Sequence, residues 1–157
     1  MKRFLFIAAA LFALSSVAVH ADDGRVLPDP HLTPGAIVET HTGVICTRGY
    51  DRAHRVWHDK AGTLAKYGLP LSAADHYDDD LVPVCLGGNN ASPQNHWPQS
   101  YSGEWGAETK DALERRMCAE ICRIRDDAEL ARYQADFAEN WIALYQMQHW
   151  LDVNKRQ

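Results

Sequence analysis

Apolar positions change period several times along the chain, and each change predicts an element. Phe4 to Val19 is an almost unbroken apolar stretch. From Asp22 to Gly35 the pattern dissolves, and Pro28, Pro30 and Pro34 predict an extended leader. Ile37 to Cys46 alternates enough for a short strand, closed by Arg48-Gly49. Helical spacing follows over Ala53 to Tyr67, with Val56, Leu64 and Tyr67 as apolar positions and Gly68 as a stop signal. Leu69 to Asp78 reads as a loop. A strand is predicted over Asp79 to Leu86, ended by Gly87-Gly88-Asn89-Asn90, a strong turn signal. Gln94 to Gln99 predicts a second short strand returning beside it. Ala107 to Arg123 is a clear helix with Leu113, Met117 and Ile121 on one face. A final helix spans about Asp127 to Trp150, with Leu130, Phe137, Trp141, Leu144 and Tyr145 as its apolar side.

The flanks of the first apolar stretch decide what it is. Lys2 and Arg3 precede it and Val19-His20-Ala21 closes it, which is the form of a secretory signal peptide cleaved after Ala21. As a membrane anchor it would be short, and polar Asp22-Asp23-Gly24 follows at once. The organisation expected is therefore a signal peptide at 1–21, a leader at 22–36, one folded domain at 37–150 and a tail at 151–157. A chain of this size supports one modest core.

Charge narrows the function classes. The chain has 16 Lys and Arg against 21 Asp and Glu, a net charge of −5, and loss of Lys2 and Arg3 makes it more acidic still. Such a protein gains little from nonspecific phosphate attraction and should not coat nucleic acid. Action on phosphodiesters would need a local basic patch or a bound cation. Arg48, Arg52, His54, Arg55, His58 and Lys60 form a basic cluster that suits such a patch and equally suits a solvated helix face. Four cysteines, Cys46, Cys85, Cys118 and Cys122, favour disulfides in an exported chain. Only Cys118 and Cys122 are close in sequence, which argues against structural zinc. Those two lie one helical turn apart on one face, awkward for bonding to each other and convenient for bonding to two neighbouring strands.

The stretch from His76 to Cys85, HYDDDLVPVC, poses the chemical question. Asp78, Asp79 and Asp80 run straight into apolar residues, and charges are costly to bury unless something pairs with them. Either these aspartates lie in a solvated loop or something positive meets them.

"YDDDLVPVCLGGNNASPQNHWPQ" followed by "AETKDALERRMCAEIC" resembles secreted proteins of the HNH, or His-Me finger, nuclease superfamily. The upstream "TPGAIVETHTGVICTRGYDRAHRVWHDKAGTLAKYG" and the closing "DFAENWIALY" are similar to the same group, so the resemblance covers most of Thr33 to Tyr145. It implies an α+β fold, a small single domain with a ββα-metal core, flanking helices and disulfide staples. It also implies a divalent metal cation, Mg²⁺ or similar, held against a nucleic-acid phosphodiester, since a cation stabilises the charge that builds on phosphate oxygens. By this resemblance Asp79 binds the metal, with Glu108 and Asp111 of the helix as further metal candidates. Lys110, Glu114 and His76 would support the site, and Arg48, Arg52 and Arg55 would meet substrate. Lys110 and Asp111 equally suit a simple helix-surface pair. The resemblance further implies disulfides Cys46–Cys122 and Cys85–Cys118.

Asp80 departs from the family pattern, because it stands where the general-base histidine should be. Three possibilities follow for the catalytic set Asp80, His96 and Asn95. Asp80 serves as base, which requires its proton affinity to be tuned. Alternatively His96 or His76 restores an imidazole, with His96 the better placed beside Asn95. Finally, catalysis is lost and the fold retained. The functions expected are thus a secreted metal-dependent endonuclease acting on DNA or RNA, weak or degenerate, or a noncatalytic exported binding protein on the same scaffold.

Overall fold

A computed structural model describes residues 26–56 and 59–155. The expected signal peptide, the first residues of the expected leader, Trp57, His58 and the last two residues lie outside the described residues. What is described is a small α+β unit with one two-stranded antiparallel sheet, five α-helices and two disulfides.

Ile37 to Cys46 is not a strand. Only Ile37 bridges to Gly88, and Thr42–Ile45 forms a short helix, α1. Its start is held from outside, since Asp127 Oδ1 accepts from both the Thr42 amide and its hydroxyl, each at 2.7 Å. Tertiary contacts override the β-branched composition. The helix expected over Ala53 to Tyr67 is two helices, α2 (Tyr50–His54) and α3 (Lys60–Lys66). The Val56 amide is taken by the Asn90 side chain, and Asp59 caps α3 by accepting from the Gly62 amide.

Strand β1 is His76–Asp80, earlier than the sequence pattern predicts, and β2 is His96–Ser100. They pair antiparallel, Asp79 opposite Trp97 and Asp80 opposite His96. After Asp80 the chain leaves the ladder, because the Asn95 side chain accepts from the Val82 amide and donates to the Val82 carbonyl, both at 2.9 Å. A 3-10 turn at Val84–Leu86 follows Pro83. Gly87 and Gly88 are required here. Gly87 has φ +82, and a Cβ on Gly88 would lie 1.9 Å from the Val82 carbonyl oxygen.

Helix α4 (Ala107–Ile124) lies where the sequence placed it. Helix α5 (Asp127–Asn154) is longer than expected and breaks at Asn140, whose side chain accepts from the Ala143 amide and caps the second segment. The core joins Leu81, Val82, Leu86 and Trp97 to Leu113, Met117 and Ile121 of α4 and to Leu130, Phe137 and Trp141 of α5. Cys46–Cys122 ties the end of α1 to α4, and Cys85–Cys118 ties the 3-10 turn to α4. Both staples therefore end on one helix, α4. Among the described residues no helix is long and apolar enough to cross a membrane.

Candidate functional site

Consecutive residues of a strand point to opposite faces, so β1 divides the acidic run. His76, Asp78 and Asp80 are buried on one face, while Tyr77 and Asp79 are half-buried on the other. A cation meets the run on each side.

On the helix side that cation is Lys110. Its side chain is fully buried, and Nζ donates to Asp79 Oδ2 at 2.7 Å, to the main-chain oxygen of Asp80 at 2.6 Å, and to Glu114 Oε1. The Phe137 ring lies 5.9 Å away, closing the pocket with apolar surface. Burial pushes the Lys110 pKa down, but Asp79 and Glu114 more than reverse this and hold the ammonium charged. Two carboxylates share that one ammonium. Burial is the main reason the Glu114 carboxyl is raised to about 7. Lys110 opposes the rise and Asp79 adds to it. Tyr77 donates its hydroxyl to Gln99 Oε1 at 2.8 Å, and burial with the neighbouring charges of Asp79, Asp111 and Glu114 raises its pKa.

On the opposite face the cation is His96. Its Nδ1 is 3.1 Å from Asp78 Oδ1, and its Nε2 is 2.7 Å from the Asn90 carbonyl oxygen and 3.6 Å from Asp80 Oδ1. Both ring nitrogens face acceptors, so the imidazolium satisfies this setting better than either neutral tautomer. Burial lowers the His96 pKa, but Asp78, the Asn90 carbonyl and Asp80 outweigh it and leave the value raised. Asp80 also accepts from the side-chain amides of Asn90 at 2.7 Å and Asn95 at 3.2 Å. A cleft of about 490 Å³ opens beside this face, with Thr63, Lys66, Asp78, Asn90 and His96 in its wall.

The structure thus brings Asp80, Asn95 and His96 together on one face and Asp79, Lys110 and Glu114 on the other. Asp111 adds its charge to the field at Glu114, and Glu108 is exposed in the first turn of α4. His76 shares a face with Asp80 but bonds Asp75 Oδ1 at 2.8 Å, and four residues of strand put it roughly 13 Å from Asp80. Arg48 and Arg52 are exposed, and Arg55 donates to Asp51 at 2.9 Å. Asn90 and Asp78 matter more than sequence inspection suggested. Asn90 sat inside an apparent turn signal, whereas strand alternation alone would have grouped Asp78 with Asp80.

The residues present do not fit the divalent cation that the resemblance implies. The oxygens around Asp79 converge on the Lys110 ammonium, and the two nitrogens of His96 point to the Asp78 carboxylate and to the Asn90 carbonyl oxygen. Among the described residues no group of three or more His, Cys, Asp and Glu is disposed to hold a metal ion. No protein-family model, curated protein or solved structure matches this chain.

Proposed function

We propose that this chain is an exported, noncatalytic binding protein built on an HNH-like ββα plan, its acidic strand serving as an internally paired scaffold. The observation that carries the proposal is the surroundings of Asp80. A general base needs a lone pair directed at the proton it removes. The Asp80 carboxylate instead accepts from the amides of Asn90 and Asn95, and lies buried beside His96. His96, the other base candidate, has both nitrogens directed at protein acceptors. Export is supported by two disulfides, which persist in oxidising compartments, and by the signal-like N-terminal segment. The cleft beside His96 is the concave surface offered to a ligand.

A metal-dependent endonuclease is the second reading. It is favoured by the order β1, Gly87-Gly88, β2, α4, with Asp79 facing a carboxylate of that helix. Incubating the disulfide-intact mature chain with supercoiled DNA and with RNA, with Mg²⁺ or Mn²⁺ and with chelator, separates the two. The proposal expects cleavage no faster than buffer in every condition. Metal-dependent nicking that chelation stops and Asp79→Ala abolishes would establish the nuclease instead.

A further inference from the structure

We infer that Asp79 Oδ2, the main-chain oxygen of Asp80 and Glu114 Oε1 form a cation socket whose resident ion is the chain's own Lys110 ammonium. With that ammonium removed, the socket accepts a hard divalent or trivalent cation. Three oxygens from two separate elements meet at one point. Asp79 and Asp80 come from β1, Glu114 from α4, and the nitrogen at their centre is fully buried. Two carboxylates and one carbonyl make the all-oxygen donor set that hard cations prefer. The Lys110 contacts to Asp79 and Asp80 are 2.7 and 2.6 Å, and calcium–oxygen distances are about 2.3–2.6 Å, so a metal needs a contraction of only a few tenths of an ångström.

Charge supports the same conclusion. One ammonium stands between the two carboxylates of Asp79 and Glu114. A dication would balance both. Lys110 brings its charge on a side chain anchored in α4, so no free ion has to be captured and no chelator can remove it. The junction between ribbon and helix is therefore metal-independent in the wild-type chain. This inference stands apart from the proposed function, since it concerns cation binding and not cleavage.

Lys110→Ala and Lys110→Gln, made in the disulfide-intact chain, test it. The probes are Tb³⁺, whose emission is excited through Trp97 opposite Asp79 on β2, and Ca²⁺ followed by calorimetry. Both variants should bind Ca²⁺ with a Kd on the order of 10⁻⁴–10⁻³ M, the range of sites with few charged ligands. They should show Trp-sensitised Tb³⁺ emission that Asp79→Asn, added to either, removes. Wild type should show neither. If Lys110→Ala is unfolded alone, Ca²⁺ should restore its near-ultraviolet circular dichroism, and Lys110→Gln, uncharged but with two N–H donors toward these oxygens, serves as an independent case. The inference is overturned if the variants bind no more tightly than wild type, if binding survives Asp79→Asn, or if neither variant folds even with Ca²⁺.

Discussion

Glu114→Gln isolates the excess negative charge beside Lys110. The Glu114 carboxyl rises from an ordinary 4.5 to about 7 in the folded chain, mainly through burial. Between those two values the folded state holds a proton that the unfolded state has released, so stability falls as pH rises through this window and levels off above it. A shift of this size corresponds to up to about 3 kcal/mol at roughly 1.4 kcal/mol per pH unit. Glutamine resembles the protonated acid and keeps an oxygen for the Lys110 ammonium, so it removes this dependence. Urea unfolding under oxidising conditions, followed by tryptophan fluorescence near pH 4 and near pH 8, measures it. The stability difference between variant and wild type should move in the variant's favour by up to about 3 kcal/mol across that range. Comparing the two chains cancels the contribution of His96, which is present in both. Parallel pH profiles would refute a Glu114 carboxyl raised by burial beside Lys110.

His96→Ala should cost about 3–5 kcal/mol, because it leaves Asp78 and Asp80 buried side by side on one face without the imidazolium beside them. The His96 pKa is raised on folding, so this stabilisation is present below its ordinary value of 6.5 and is lost as pH rises through the folded value. Unfolding measured on both sides of that range should show the larger cost at the lower pH, and a cost independent of pH would contradict imidazolium pairing. Asp80→His removes the acceptor for Asn90 and Asn95 and should lower stability by about 2 kcal/mol. The same variant should gain no metal-dependent cleavage, since Lys110 still fills the space before Asp79, and a clear gain in a nicking assay would count against that.

The parts of the fold legible in the sequence are those where burial follows one period. Leu113, Met117 and Ile121 mark the buried face of α4, and Leu130, Phe137 and Trp141 mark that of α5. Strand β1 was misplaced for a physical reason. His76-Tyr77-Asp78-Asp79-Asp80 has no aliphatic residue on either face, because its partners are cations and polar groups, so hydrophobic alternation cannot report it. The apolar Leu81-Val82-Pro83-Val84 that looked like the strand is core-filling loop, held by Asn95 in place of a ladder. The segment from Ala53 to Tyr67 kept a helical period across a break that the Asn90 side chain and the Asp59 cap impose, and neither is visible locally. At the site, the types of residue were legible and their grouping was not. Asp79 and Asp80 look like one cluster in a string of letters and stand on opposite faces of a pleated strand. Lys110, which equally suited a helix-surface pair, is the fully buried hub of one of those faces.

Proton-detected ¹H–¹⁵N correlation of lysine side-chain ammonium groups tests the internal pairing of the acidic strand most directly. Exposed lysines lose these signals to solvent exchange near neutral pH, whereas an ammonium donating to Asp79, Asp80 and Glu114 inside the protein is protected. A slowly exchanging ammonium is expected, one that disappears in Lys110→Gln and is unchanged by millimolar Mg²⁺. A Lys110 ammonium that exchanges as fast as its exposed counterparts, or whose signal is lost when Mg²⁺ is added, would contradict it.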